Sequence, residues 1–210
     1  HDGYTLGDFI RVGTKEVDPH KVINDIDENV KLTPHQLKIN KLAALFLFTS
    51  QGITMIHSGQ EFARSKVIPY NLAAKDTNKG RIDHNAYDKD NETNYLNFKH
   101  AEINKDLLEY YKGLIGLRKK YDSFRHADYE DITFYEHPIS KFGLGYVINY
   151  GKDTFVVLLN ADPHQSLEFP LPEGAWDVLV DKDGAGIKTR YVTGCKAILE
   201  PITGAVLRLK

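Results

Sequence analysis

The sequence predicts a chain of mixed class, an α/β part followed by an all-β part. Three observations carry this. Apolar residues recur at helical spacing up to about Tyr121. The period changes to two after Arg125. Short alternating runs follow, separated by turns such as Tyr150-Gly151-Lys152-Asp153 and Pro172-Glu173-Gly174. Strands of this length and spacing suggest an antiparallel sandwich. The length of 210 residues suits one large domain or two small ones. The boundary is placed near residues 122–130, dividing the chain into 1–125 and 126–210.

The elements follow in order. Thr33 can cap a helix, Pro34 suits its first turn, and Gln36 completes a capping box. Ile39, Leu42, Ala43, Phe46 and Leu47 then recur at helical spacing, and Gly52 stops the run. Residues 53–57 are short and apolar, as in a buried strand, which makes a helix-then-strand step as in an α/β barrel. Residues 58–100 are polar and rich in turn formers, and loops this long are usually functional or disordered. Asn104 is placed to cap a second helix running to about Tyr121. Leu107, Leu108, Tyr111, Leu114, Ile115 and Arg118 mark its inward face. Candidate strands are 132–136, 143–149, 154–160, 166–169, 175–180, 188–192, 196–200 and 205–209.

Composition narrows the function classes. The chain is 41% hydrophobic and 27% charged, with a mean hydropathy of −0.41; these values exclude disordered and fibrous classes. A net charge of −2 offers no basic field to nucleic acid. The longest apolar run, around residues 42–48, is too short to span a bilayer, so no membrane partner is expected. The lone Cys195 excludes an internal disulfide and a cysteine-based metal site, and reads as a buried small residue. Trp176, Phe142 and the Tyr110-Tyr111 pair read as core, and His57 as a core or supporting histidine.

The order of elements then meets specific motifs. "HD" opens the chain, followed by the capped helix, "QGITMIHSGQE", a long loop holding "HNAYDKDNETNYLNF", then "YYKGLIGLRKKY" and "LPEGAWDVLVD". This series resembles the C-terminal part of glycoside hydrolase family 13, the α-amylase clan, and within it the pullulanase- and isoamylase-type debranching enzymes. The resemblance covers essentially the whole chain. It implies a C-terminal remnant of a TIM (β/α)8 barrel over 1–125, from the end of strand seven to helix eight, and a β-sandwich C-domain over 126–210. His1-Asp2 would be the His-Asp pair that ends the family's last motif, so the chain would begin inside a longer protein's active site. Gly52, Gly59 and Glu61 match the strand-eight motif, with Thr54 where Pro is common and His57 where Tyr is common. Asn85, Ala86, Tyr87, Asp90, Asn91 and Glu92 match a debranching-enzyme loop after strand eight.

Retaining glycosidases use a carboxylate nucleophile and a carboxylic acid about 5–5.5 Å apart, around an oxocarbenium-like transition state. The resemblance implies a third carboxylate that binds sugar hydroxyls and stabilises the transition state, here Asp2. His1, Asn85, Tyr87, Asp90 and Asn91 would bind substrate, because sugars offer hydroxyls to planar polar groups and C–H faces to aromatic rings. Gly52, Gly59 and Glu61 would support the site, Glu61 through hydrogen bonds. The nucleophile and acid would lie on barrel strands four and five, upstream of this chain, so the chain alone is expected not to cleave glycosides.

The leading expectation is part of an α-1,6 debranching hydrolase acting on α-glucan. An α-1,4 amylase or neopullulanase, or a glucan branching enzyme, shares the chemistry. A non-catalytic carbohydrate-binding module is the reading from another class. No cofactor is expected. Asp88, Asp90 and Glu92 lack the turn glycine and bidentate glutamate of an EF-hand, and a calcium ion would belong to the parent enzyme. The expected partners are an α-glucan and the upstream part of the same enzyme, since one strand and two helices cannot close a barrel or cover their own apolar faces.

Overall fold

The computed structural model describes residues 3–70, 78–137 and 139–210, with Glu136 described by its backbone alone. The chain forms two compact units. The first comprises His1–Asn40 and Ile56–Leu108, the second Lys41–Met55 and Glu109–Lys210. The change from helix to strand falls where the sequence places it, whereas compactness cuts two helices between the units.

The first unit holds α1 (Leu6–Gly13), α2 (Ile26–Val30), the start of α3 (Pro34–Thr49), a 3-10 turn at Gln60–Phe62, α4 (Lys99–Ile103) and the start of α5 (Lys105–Lys120). Thr5 caps α1: its hydroxyl accepts from Asp8 N at 3.0 Å and donates to Arg64 O at 2.6 Å. The capping box read from the sequence is present on α3, with Gln36 N to Thr33 Oγ1 at 3.2 Å and Thr33 N to Gln36 Oε1 at 3.1 Å.

Polar groups organise this unit. Asp8 and Arg11 are both fully buried and lie 3.2 Å apart. Arg11 also donates to Val30 O at 2.6 Å and Ala63 O at 2.8 Å, and Asp8 accepts from Lys66 N at 2.8 Å. Burial pushes the Asp8 carboxyl up and the Arg11 guanidinium down, each opposed by the charge of the other. Removing one partner of such a pair typically costs about 3–5 kcal/mol, because the other charge stays buried and uncompensated. Gly7 lets α1 approach the turn: a Cβ there would lie 2.8 Å from Ala63 O.

The second unit is built on α5, the end of α3, α6 (Ser123–His126) and eight strands: β1 (Ile132–Glu136), β2 (Gly143–Tyr150), β3 (Asp153–Asn160), β4 (Leu167–Pro170), β5 (Trp176–Val180), β6 (Tyr191–Thr193), β7 (Lys196–Leu199) and β8 (Thr203–Leu209). Six form an antiparallel sheet in the order β1-β2-β3-β8-β5-β6, and β4 and β7 form a second, two-stranded sheet. One face of the large sheet packs against the small one through Val156, Leu158, Phe169, Trp176, Val178 and Leu207. The other face, with Phe155, packs on Tyr121 and Phe124 at ring distances of 4.9 and 4.8 Å. Arg118 closes the end of α3 by donating to the carbonyls of Phe48, Ser50 and Gly52 at 3.0, 2.8 and 2.6 Å.

The strand positions read from the sequence agree with the structure to within a few residues. Other expectations do not hold. Residues 53–57 are not in a strand; they run unpaired between Gly52 and Gly59, with Ile53 102% and Met55 85% exposed. A strand needs a neighbour for its backbone groups, and every strand pairing among the described residues is antiparallel and lies beyond residue 130. Asn104 precedes α5, but its side chain is used across the fold: it accepts from Leu32 N and donates to Val30 O and Phe62 O, both at 2.9 Å. On α3 the buried residues are Gln36, Asn40, Ala44, Leu45, Phe48 and Thr49, while Phe46 is exposed. Phe142 and His57 are exposed rather than core, as is Cys195, in the turn between β6 and β7.

One pH dependence follows from the second unit. Burial raises the Tyr146 phenol to about 12, with its hydrogen bond to Thr49 and the charge of Arg118 pulling the other way, and burial raises Tyr135 to about 12. Both are neutral in the fold, so their contribution is full below the unfolded value of about 10 and is lost as pH rises through about 12. Urea melts are expected to show stability falling across that window, less steeply in Tyr146→Phe. An identical slope in the variant would contradict the assignment.

Candidate functional site

The polar loop of residues 83–94 is the candidate site, and side chains hold it from within. Asp83, nearly buried, accepts from Asn85 N at 2.9 Å and pairs with Lys89 Nζ at 2.7 Å. Asn94 Nδ2 donates to Ala86 O and to Lys89 O. Asn91 Oδ1 accepts from Thr93 N at 3.0 Å. These bonds set the backbone and leave Asn85, Tyr87 and Asp90 facing solvent, with Tyr87 64% exposed and Asn91 partly covered. An aromatic face beside amide and carboxylate groups can take a polyhydroxylated ligand by stacking and hydrogen bonding.

Arg64 fixes the loop from below. It is buried, and it donates to Asn94 O at 2.6 Å, Thr93 O at 3.4 Å and Ser58 O at 3.3 Å. Burial lowers its guanidinium pKa, opposed by the charge of Asp8. Its position depends on Gly59, whose φ is +88° and where a Cβ would lie 2.8 Å from Arg64 Cβ. Gly52 also has a positive φ, of +86°. The sequence singled out both glycines and Glu61, but gave no signal for Arg64 or Asn94; a lone arginine is ordinarily a surface residue.

The remaining candidates sort as follows. His1 and Asp2 lie outside the described residues. Gly3, which follows them, donates from its amide to His84 O at 2.6 Å, and the ring of Tyr4 lies 5.7 Å from that of His84. Glu61 was expected to buttress the site by hydrogen bonding, but its Oε2 is buried without a partner among the described residues. The pKa of His57 is lowered by burial and by the charges of Arg64 and Lys66. Among the described residues no group of three or more His, Cys, Asp and Glu is placed to hold a metal ion. No helix among them is long and apolar enough to cross a membrane.

No protein-family model matches the chain. Pullulanase A of Streptococcus pneumoniae is 30% identical over 228 aligned positions, covering 89% of this chain and 17% of that protein. Among solved structures, the product complex of the multi-modular glycogen-degrading pneumococcal virulence factor SpuA superposes with a TM-score of 0.74 at 27% identity, over 100% of this chain and 25% of that one. The Group B Streptococcus pullulanase SAP in complex with maltotetraose gives a TM-score of 0.76 at 24% identity, over 100% of this chain and 31% of that one, and supports the fold. Over most of its length the chain is similar to pullulanase-type proteins. It spans about a sixth of the length of the curated relatives it matches.

Replacing Arg64 by Met is expected to leave two loop carbonyls, of Thr93 and Asn94, and that of Ser58 without their donor and to cost about 1–3 kcal/mol locally. Hydrogen exchange at the Lys89 and Asn94 amides, both bonded within the loop, should accelerate while that of β3 and β8 stays unchanged. Unchanged exchange at both loop amides would refute the role of Arg64.

Proposed function

We propose that the chain serves as part of an α-glucan-acting retaining glycoside hydrolase of debranching type in glycoside hydrolase family 13. On this reading residues 1–125 complete the end of a (β/α)8 barrel and residues 126–210 form its C-domain. The observation that carries it is the hydrogen bond from Gly3 N to His84 O. Gly3 lies against the loop implied to bind sugar, and this nearness supports reading the opening motif and the loop as parts of one site. The likeness to pullulanases, one of them a glycogen-degrading factor and another solved with maltotetraose, supports an α-glucan as ligand.

In this role Asp2 stabilises the oxocarbenium-like charge, and His1 donates to the same sugar. Tyr87 offers its ring to a sugar face, and Asn85, Asp90 and Asn91 bind hydroxyls. The unpaired run of residues 53–57 takes its place as barrel strand eight once strands from the rest of the enzyme lie beside it. Its bare Ile53 and Met55 are the side chains that contact would cover. The nucleophile and acid come from that remaining part, so the 210-residue chain binds but does not cleave.

Two measurements on the purified chain test this. Isothermal titration with maltotetraose should show saturable binding that weakens roughly tenfold, about 1.4 kcal/mol, in Tyr87→Ala with the fold intact. Incubation with pullulan should release no reducing ends. Binding indifferent to both Tyr87→Ala and Asp90→Ala would overturn the loop assignment. Turnover by the homogeneous chain would overturn the missing-nucleophile account.

A further inference from the structure

The small sheet, β4 with β7, covers only part of the inner face of the large one. No β6 side chain joins the core cluster between the sheets. Beside β6 the sandwich stays open, as a cleft of about 560 Å³. That is within the ~300–1,000 Å³ typical of small-molecule sites. Val178 and Leu207, both buried in the core, back the cleft, and its exposed apolar surface is Tyr191 and Ile198. Tyr191 and Thr193 of β6 make one wall, with Tyr191 53% exposed. Lys182 and Glu200 stand on the rim, 3.6 Å apart.

We propose that this cleft binds a neutral oligosaccharide, of the same α-glucan class as the loop of residues 83–94. The class of glucan rests on the function proposed above; the site itself rests on the cleft. The lining decides the ligand chemistry. Charges around the cleft are mixed: Lys182 and Lys196 line it with Asp181, Asp183 and Glu200, and Arg190 and Glu168 pair with Asp181 and Lys196 from outside the lining. Such a rim gives no net field to draw in a nucleotide or an acidic peptide. Most of these ion pairs join solvent-exposed side chains, where a pair is worth about 0–1 kcal/mol, so their groups can turn to a ligand's hydroxyls at little cost. A wholly apolar ligand would leave the polar rim unsatisfied. A sugar fits both parts: its C–H faces meet the Tyr191 ring and Ile198, and its hydroxyls meet the rim. Burial, and then the neighbouring carboxylate of Asp181, raise the Tyr191 phenol, so that the ring stays uncharged against a neutral ligand.

The test is a titration of the full 210-residue chain with maltotetraose, followed by amide NMR. The expected result is two sets of saturable shifts, one at residues 84–94 and one at Tyr191, Thr193 and Ile198. Tyr191→Ala should weaken the second set roughly tenfold, about 1.4 kcal/mol, and leave the first unchanged. Tyr191→Phe, which keeps the ring, should bind as the native chain does. Shifts confined to residues 84–94 would overturn the cleft proposal and leave the loop reading standing. Shifts confined to the cleft would support it and overturn the loop. No shift anywhere would overturn both. β6–β7 shifts that persist in Tyr191→Ala would also overturn the assigned stacking.

Discussion

The first unit depends on the buried pair of Asp8 and Arg11. It is short of regular structure: among its described residues are three helices, the beginnings of two more, one 3-10 turn and the isolated bridge between Val67 and Ile82. Without sheet ladders, its backbone groups need other partners. Side chains supply them. In the buried segment from Phe62 to Lys66, Asn104 takes the carbonyl of Phe62, Arg11 that of Ala63 and Thr5 that of Arg64, while Asp8 takes the amide of Lys66. Ala63 is held at a φ of +55°, a conformation that costs a non-glycine residue energy and persists because so many bonds surround it. From this segment the Arg64 guanidinium reaches the carbonyls of Thr93 and Asn94, and Asn94 reaches those of Ala86 and Lys89. A charge pair on the first helix is thus connected, bond by bond, to the turn that presents Tyr87.

The second unit follows other physics. Its strands bury apolar side chains on both faces of one sheet, with Val156 and Leu158 toward the small sheet and Phe155 toward the helices. Trp176 fills the inner face and still satisfies its indole, donating to Pro172 O at 3.0 Å. Where a polar group is buried here it caps or crosslinks, as Arg118 does at the end of α3 and Asn160 does toward the carbonyls of Gln165, Leu199 and Glu200.

This difference explains what the sequence could tell. Alternation marks a half-covered strand such as β4, and a short apolar run between turns marks one covered on both faces such as β3, so both kinds are legible from local pattern. The capping box of Thr33 and Gln36 is local chemistry within four residues and is legible for the same reason. The buried frame is not local. The burial of Asp8, Arg11 and Asn40 has no local sequence mark, because only tertiary partners make it tolerable. Asn104 sits where a helix cap belongs, yet its side chain serves two distant segments, at Val30–Leu32 and at Phe62. Residues 53–57 carry the composition of a buried strand, and the described residues offer no neighbour to bury it. In the candidate site the exposed residues Asn85, Tyr87 and Asp90 are singled out by their motif. The arginine and asparagine that hold them are not, since carbonyl-directed hydrogen bonds leave no periodic mark.

The functional account therefore rests on one mechanical claim: the Asp8–Arg11 frame and the Arg64-bound loop act as a single polar unit that presents Asn85, Tyr87 and Asp90. A double-mutant cycle on urea stability, pairing Arg11→Met with Arg64→Met, tests it most directly. The account predicts a coupling energy above roughly 0.5 kcal/mol, since Arg11 holds the peptide next to Arg64. Strict additivity of the two substitutions would contradict it and leave the frame and the loop as independent structures.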